Sequence, residues 1–429
     1  MALTTEPTSR ETRRPLNRWP FSFAESRLNP WRGLDGLPRE VWLLFATNLI
    51  NRAGMMVLPF LIVYLTRELH FSPGQAGLAF ALYGGAAIFA GPIGGRLSDR
   101  IGALPVMRAS LLLSGSVVLL FPLARSVAAV YIVTAVWAAC AELFRPASLA
   151  ALTQVVLPNQ RKAAYALNRL AINLGMSIGP ALGGFLAAVS FRSMFVVDAL
   201  TTLTAGVVLV AAQRRPTATR EVKSGQAQAP MPNGVWGNSR LLLFLIATFL
   251  VSIVFYQHES SLPLYMVQGL SLSPAFYGSL FTINTLMIVA LEVPINRATA
   301  EWPHAWALVA GCMLIALGFG GMGLVSAASG ILVTTVVWTF GEMMLFPAMA
   351  AHLGDIAPEA QRGAYMGAYS MSLSLALTVG PWLGTQLLSR LGPAVLWSFM
   401  FALGALAAGL MGFAAPHRRM SRVPAAAGS

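Results

Sequence analysis

The sequence predicts an all-α membrane protein with twelve transmembrane helices in two pseudo-symmetric six-helix halves. Three observations predict this fold class. The composition is 56% hydrophobic and 10% charged, whereas a soluble domain carries about 25% charged residues. Apolar stretches of about 20 residues recur along the chain, and each is long enough to cross roughly 30 Å of hydrocarbon. Finally, a pattern in the first half of the chain returns 201 residues later.

The repeat consists of residues of several types at one constant offset. Trp137 and Pro146, for example, return as Trp338 and Pro347. The same offset relates Gln160 to Gln361, Arg161 to Arg362, Gly179 to Gly380, Pro180 to Pro381, Gly183 to Gly384, and Ser72-Pro73 with Gly77 to Ser273-Pro274 with Gly278. Two equivalent apolar halves are typical of a secondary transporter, whose substrate binds between them.

The positions of the apolar stretches predict where each helix begins and ends. Helices are expected at about 41–66, 74–95, 104–124, 127–149, 163–189, 192–212, 241–267, 276–296, 304–324, 329–351, 363–389 and 393–414. A transmembrane barrel is disfavoured, because its strands alternate over only about ten residues. The halves therefore fall at 41–212 and 241–414, with a basic arm at 1–40, a polar linker at 213–240 and a tail at 415–429.

The distribution of positive charge orients the helices. With the N-terminus in the cytoplasm, 22 of the 29 Lys and Arg residues fall on the cytoplasmic side, four outside and three within helices. This asymmetry follows the positive-inside rule. It predicts that both termini, the arm and the linker are cytoplasmic in a bacterial inner membrane. The net charge of +13 is then an orientation signal, and no nucleic-acid partner is expected.

One charged segment resembles a sequence motif of a known family. Gly95–Gly102, between the second and third apolar stretches, resembles the loop motif G-x-L-x-D-R-x-G of the major facilitator superfamily. In that family the loop stabilises the outward-open state, so the resemblance implies a conformational role for Asp99 and Arg100 between the two glycines. The chain departs from the family pattern after Gly102, where Ala103-Leu104-Pro105 stands in place of basic residues.

A glycine-rich segment resembles a narrower group within that family. Gly175, Gly179, Pro180, Gly183 and Gly184 match the motif g-x-x-x-G-P-x-x-G-G of the drug–proton antiporters. Glycines permit close helix packing, and a proline removes a backbone donor and bends the helix. In the family this segment is linked to export, so the resemblance implies an exporter; generic helix packing is the alternative reading.

The chain also departs from the antiporter pattern. The antiporters often carry an arginine early in the fourth helix, whereas Thr134–Trp137 contains none. Arg52 in the first helix offers a basic group instead. The proton relay assigned to the missing arginine therefore does not transfer directly to this chain.

Ionisable residues inside the apolar stretches are the main candidates for function, because a charge in hydrocarbon costs several kcal/mol. These residues are Arg52, Glu142, Arg145, Arg169, Asp198, Glu259, Glu292 and Glu342. Glu142 and Glu342 take nearly equivalent places in the two halves, so Glu142, with Arg52 and Glu342, is the first choice for proton coupling or substrate binding. A static ion pair between Arg52 and Glu142 is the alternative.

The remaining ionisable residues receive weaker assignments. Arg145 is a further coupling candidate. Glu259, with His258, is expected either to form an extracellular gate or a shuttle, or to face lipid headgroups. Asp198 is expected to be structural, and Glu292 to anchor a helix end. Polar and aromatic residues that are candidates for lining a substrate cavity are Asn48, Asn51, Trp137, Asn168, Asn173, Tyr256, Asn284 and Trp338.

The resemblance and the buried charges together predict proton-coupled export of small apolar or cationic compounds by alternating access. The proton gradient supplies the energy, so no cofactor and no metal are expected. The expected partners are a small-molecule substrate and the lipid bilayer, with the protein a monomer. The alternatives are transport of an endogenous metabolite, peptide or lipid, a receptor, or a membrane-embedded enzyme; the chain shows no catalytic cluster that favours the last.

Overall fold

The computed structural model describes residues 37–157, 160–212, 237–299, 301–358 and 362–415. Within these ranges the chain is helical and contains no strand. Most of the expected arm, linker and tail lies outside the described residues.

The described residues form the twelve expected helices. They are α1 Arg39–Arg67, α2 Pro73–Ile101, α3 Ala103–Leu123, α4 Val127–Val155, α5 Arg161–Val189, α6 Phe191–Ala211, α7 Ser239–Gly269, α8 Pro274–Ala298, α9 His304–Leu324, α10 Ala328–Ile356, α11 362–391 and α12 393–414. The last two are continuous in hydrogen bonding over Arg362–Ala414, but Gly392, with φ of 84°, separates them.

Several helices run further than their apolar stretches. The second was expected at 74–95 and the tenth at 329–351, yet α2 continues to Ile101 and α10 to Ile356. Hydropathy marks only the part of a helix that lies in hydrocarbon, whereas the helix itself continues into the headgroup region.

Short turns make successive helices antiparallel within each half, and the hydrogen bond of Thr66 in α1 with Gln268 in α7 shows that these two helices end on the same side of the bundle. Arg39 at the start of α1 and Ala414 at the end of α12 therefore lie at the same end of the bundle, which we call the terminal face. The opposite end is the distal face. On the distal face, His70 and Ser271 both have φ of 54°. These two residues are 201 positions apart, so the repeat extends to backbone conformation.

The repeated Ser-Pro pairs start equivalent helices. The hydroxyl oxygen of Ser72 accepts a hydrogen bond from the backbone N–H of Gln75 at the start of α2, and that of Ser273 accepts from Phe276 at the start of α8. Each serine oxygen thus accepts from a backbone N–H group that has no partner within the helix. The proline that follows has no N–H group and therefore needs no acceptor.

The first helix of each half is interrupted at the same depth. In α1 the helix stops at Gly54 and resumes at Val57. In α7 it tightens into a 3-10 turn over Tyr256–Glu259. Interrupted helices at corresponding positions of two repeats point to the binding region of a secondary transporter, because the break leaves backbone groups free of the helix ladder.

Asp198 of α6 stabilises the break in α1. Its Oδ2 atom accepts hydrogen bonds from the backbone N–H groups of Met56 and Val57, both at 2.9 Å. Asp198 is only 3% exposed. The carboxylate thus caps the second segment of α1 where the chain itself offers no cap, in agreement with the expected structural role.

The two halves meet along two helix pairs, α5 with α8 and α2 with α11. At Gly184 of α5, an added Cβ would lie 2.6 Å from the carbonyl oxygen of Pro274 in α8. At Gly84 of α2, an added Cβ would lie 2.8 Å from the backbone nitrogen of Thr378 in α11. Only glycine allows such close approach of helix backbones.

The halves diverge toward the terminal face. Gly91 and Gly95 lie on the same face of α2 as Gly84, since seven and eleven residues are close to whole turns. A Cβ at either would meet no atom within 4 Å, and the same holds for Gly367 of α11. The space between α2 and α11 therefore opens toward the terminal face.

The distal face, by contrast, is closed. The side-chain amide of Gln268 in α7 donates a hydrogen bond to the hydroxyl of Thr66 in α1 at 2.6 Å. Phe60 and Tyr277 make an edge-to-face ring contact, with centroids 5.2 Å apart.

We expect Asp198→Ala to lower the free energy of unfolding by about 1–3 kcal/mol, because two buried N–H groups lose their acceptor. Asp198→Asn keeps one oxygen and is expected to cost less. Thermal unfolding of the purified protein in detergent measures both, with the exposed Asp99→Ala as control. Equal melting temperatures for Asp198→Ala and the control would show that the carboxylate does not hold the break.

Candidate functional site

Three ionisable side chains lie near the middle of the membrane-spanning helices. Arg52 is near the centre of α1, Glu142 of α4 and Glu342 of α10. All three are half-buried. Charged groups at this depth are costly unless they face protein or water, so they mark a candidate transport site.

Glu142 lies where α4 is interrupted. The helix ends at Ala141 and resumes at Phe144. The phenol of Tyr83 in α2 donates a hydrogen bond to Glu142 Oε1 at 3.0 Å. Trp137 packs edge-on against the Tyr83 ring, with centroids 5.0 Å apart. The carboxylate is therefore held by a neutral donor that keeps the same contact in either protonation state of the acid, because the second carboxyl oxygen is free for a proton.

Arg52 does not pair with Glu142. Its Nη1 atom lies 2.8 Å from Met55 Sδ, and its Nε atom is buried without a hydrogen-bond partner. No ion pair joins it to a carboxylate among the described residues. The expected alternative of a static Arg52–Glu142 pair is therefore wrong for this conformation, although the two charges interact at longer range.

Glu342 has a polar environment in the second half. The side-chain amide of Asn284 in α8 donates to Glu342 Oε2 at 2.8 Å and to the hydroxyl of Thr339 at 3.0 Å. Both halves thus hold a mid-membrane carboxylate by one donor from a neighbouring helix. The equivalence that the repeat predicted for Glu142 and Glu342 extends to their surroundings.

Glu292 forms an ion pair between the halves. Its Oε1 atom accepts from Arg169 Nη2, which joins α8 to α5 on the terminal side of the site. The expectation that Glu292 only anchors a helix end is therefore wrong. The pair also interacts electrostatically with Glu342, so it is a link between the halves close to the candidate site.

His258 and Glu259 are enclosed by protein. Each is 9% exposed, so the alternative that they face lipid headgroups is wrong. His258 Nδ1 lies 2.6 Å from the Phe255 carbonyl oxygen, and Nε2 lies 3.7 Å from Glu259 Oε1. The imidazole packs among the rings of Phe255, Phe281 and Trp338. Tyr277 donates to the His258 carbonyl at 2.8 Å.

A small cavity inside the first half connects several of these groups. It lies between α1, α2, α3, α4 and α6, and its lining includes Asn51, Arg52, Tyr83, Trp137, Glu142, Arg145 and Asp198. Hydroxyl groups of Ser110, Ser114 and Thr202 complete its polar wall. The cavity brings the predicted charges of α1 and α4 together on one internal surface.

The remaining cavity candidates differ in their burial and in their contacts. Asn48 donates to Ser148 Oγ at 3.0 Å and ties α1 to α4. Asn168 is buried, Asn173 and Tyr256 are half-buried, and Trp338 is 5% exposed within the second half. Of these, Tyr256 lies close enough to interact electrostatically with Glu142, Arg145 and Glu259. Tyr256 is thus a residue of the second half that lies near the charged residues Glu142 and Arg145 of the first half.

The predicted loop motif lies mainly within a helix. α2 continues through Gly95, Asp99 and Arg100, so the expectation of a loop from Gly95 is wrong. Only Gly102 leaves the helix, with φ of 92°, a conformation that favours glycine. Asp99 and Arg100 are exposed and have no ion pair among the described residues.

The glycine motif of α5 is a packing surface. Added Cβ atoms at Gly175, Gly179 and Gly183 would contact α1, and one at Gly184 would contact α8. At Gly179 the Cβ would lie 2.9 Å from the carbonyl oxygen of Arg52. The motif thus brings α5 directly against the interrupted part of α1 that carries Arg52.

Two features of the site were not predicted from the sequence. One is the Gln268–Thr66 contact that closes the distal face, and the other is the Arg169–Glu292 pair. Each joins helices from different halves, and local sequence pattern contains no signal for such a pairing. Among the described residues no group of three His, Cys, Asp or Glu side chains is placed to hold a metal ion.

The fold and the charged centre define a secondary transporter, and comparison with known families agrees. The Major Facilitator Superfamily matches residues 44–274 and 244–428. This match covers most of the chain, so the protein belongs to the major facilitator superfamily. It is an integral membrane transporter and not an enzyme.

Curated relatives are similar over nearly the whole chain. The uncharacterized MFS-type transporter YqjV of Bacillus subtilis (strain 168) is 26% identical over 88% of this chain and 94% of its own length. A Na(+), Li(+), K(+)/H(+) antiporter of Planococcus maritimus is 25% identical over 77% and 85%. Multidrug resistance protein MdtH of Salmonella typhi is 22% identical over 92% and 98%.

Solved structures share the fold. A POT family transporter in complex with a thioalcohol-conjugated peptide superposes with a TM-score of 0.75 at 15% sequence identity, covering 89% of this chain and 97% of that one. At this identity the likeness concerns the fold alone.

We expect Gly179→Ala to destabilise the protein by about 1–3 kcal/mol, because the new methyl group has no space against the α1 backbone. Gly91→Ala is the matched control, since a methyl group there meets no atom within 4 Å. Thermal unfolding in detergent compares the two. Equal stability of both variants would contradict the packing role assigned to the motif.

Proposed function

We propose that this transporter exports small apolar or cationic compounds in exchange for protons, by alternating access of a site between its two halves. The observation that carries the proposal is the pair of mid-membrane carboxylates, Glu142 and Glu342. Each is hydrogen-bonded to a neutral donor from a neighbouring helix. A carboxylate of this kind binds either a proton or a cationic group, and the two compete.

Glu142 is the first choice for the coupling residue. It lies at a helix interruption, beside Arg52 and on the wall of an internal cavity. Loss of its proton creates a negative charge close to Arg52, which has no carboxylate partner among the described residues. Protonation thus changes the charge balance between α1 and α4, and this change is proposed to bias the halves toward one arrangement.

The terminal face is proposed to be cytoplasmic. The excess of Lys and Arg on this side follows the positive-inside rule. With this orientation the described conformation is open to the cytoplasm and closed to the outside, in a bacterial inner membrane. Export then requires the halves to separate at the distal contacts of Thr66 with Gln268 and of Phe60 with Tyr277.

The relatives support the direction and the coupling. One carries the name of a multidrug resistance protein and another that of a cation/proton antiporter. The complete glycine motif of α5 agrees with an exporter. Because one relative is named for Na(+), Li(+) and K(+), exchange of a monovalent metal cation for protons is the second candidate.

The test is transport in proteoliposomes under an imposed pH gradient, with ethidium as an aromatic cationic probe. We expect gradient-driven ethidium flux in the wild type and a fall to the background of empty liposomes in Glu142→Gln, because the amide cannot exchange a proton. Glu342→Gln shows whether the second carboxylate shares the role. Glu68→Gln, at an exposed position on the distal face, is the control.

The outcomes separate the candidates. Ethidium flux that does not depend on the pH gradient and persists in Glu142→Gln would refute proton antiport at this residue. Collapse of the gradient by added Na⁺ or K⁺, without ethidium flux, would favour the monovalent cation exchanger.

A further inference from the structure

Arg145 is a basic side chain deep in the membrane that forms no ion pair among the described residues. It lies in α4 about 15 Å from the Val155 end, at 1.5 Å per residue. Its side chain is exposed, and among the described residues it has neither an ion pair nor a hydrogen bond. A guanidinium at this depth is stable only where it faces water or an anionic partner.

Arg145 lines the internal cavity of the first half and lies within electrostatic range of residues in the second half. It interacts electrostatically with Tyr256 of α7 and Tyr369 of α11, both in the second half, and with Arg52 of α1. An added Cβ at Gly94 of α2 would lie 2.9 Å from the Pro146 side chain, so Arg145 lies at the level of Gly91 and Gly95, where the halves diverge. A molecule entering from the terminal face can therefore reach the exposed guanidinium.

The carboxylates nearby have other partners. Glu142 accepts from Tyr83, and Glu259 is enclosed beside His258. Arg52 also has no ion pair among the described residues and lines the same cavity as Arg145, so two neighbouring guanidinium groups remain without an ion-paired anion. The planar fork of a guanidinium matches the two oxygens of a carboxylate, and Arg binds such groups with two parallel hydrogen bonds.

We propose that Arg145, with Arg52 beside it, binds an acidic group of the transported compound. The cargo is then an aromatic amphiphile that carries a carboxylate together with a basic group. The carboxylate lies on Arg145, the ring between Tyr256 and Tyr369, and the basic group near a mid-membrane carboxylate. This inference rests on the proposed function and makes zwitterionic compounds the preferred cargo over simple cations.

The test is equilibrium binding of two dyes that differ at one group. Tetramethylrhodamine carries a free carboxylate and a cationic ring system, whereas its methyl ester keeps the cation and lacks the acid. Fluorescence anisotropy with the purified full-length protein in detergent, at neutral pH, gives both affinities. The variants are Arg145→Gln, which removes the charge, and Arg145→Lys, which keeps the charge without the fork. Arg125→Gln, at an exposed distal turn, controls for net charge.

We expect the wild type to bind the acid about tenfold or more tightly than the ester, the scale of a charge-assisted hydrogen bond. Arg145→Gln is expected to abolish that preference while ester binding stays unchanged, and Arg145→Lys to retain part of it. Arg125→Gln is expected to behave as the wild type.

The proposal is overturned if the acid binds no more tightly than the ester, including the case in which neither dye binds, or if Arg145→Gln weakens both dyes equally. Binding needs no proton gradient, so this result is separate from the proposed proton coupling. Preferential binding of the acid without gradient-driven flux would refute proton coupling and support the arginine site. Gradient-driven flux without preferential binding of the acid would support proton coupling and refute the arginine site.

Discussion

The free-energy cost of a charge in hydrocarbon is the constraint on which the rest of this structure depends. The chain places eight ionisable residues inside apolar stretches, and most of them find partners from another helix. Asp198 caps the break in α1, Glu142 accepts from Tyr83, and Glu342 accepts from Asn284. These contacts fix how the helices of each half sit against one another.

Close helix packing is the second condition for this arrangement. The glycines of α5 bring that helix onto the interrupted part of α1, and Gly184 brings it onto α8. Helix α5 therefore contacts both the second half of the molecule and the part of α1 that carries Arg52, the neighbour of the coupling candidate Glu142. We propose that a change of charge near Arg52 is transmitted to the interface between the halves through α5, because backbones in direct contact leave little room for independent movement.

Much of the fold follows from the sequence because its signals are local or periodic. Apolar length predicted the twelve helices, and the constant offset predicted the two halves. Asp198 was correctly expected to be structural. The contacts between distant helices were not predictable in this way. Arg169 and Glu292 pair across 123 positions of sequence, and Arg52 bonds with Met55 instead of Glu142, because such contacts depend on helix placement and side-chain rotamers.

The central claim is that the protonation state of the mid-membrane carboxylates sets the arrangement of the halves. The most direct measurement is the distance between spin labels at Gly91→Cys on α2 and Gly367→Cys on α11, with the two native cysteines replaced by alanine. Double electron–electron resonance in lipid nanodiscs would compare acidic and alkaline pH. The account predicts a long and a short distance whose populations change with pH, and a loss of that pH response in Glu142→Gln. A single distance at all pH values, or an unchanged response in Glu142→Gln, would contradict it.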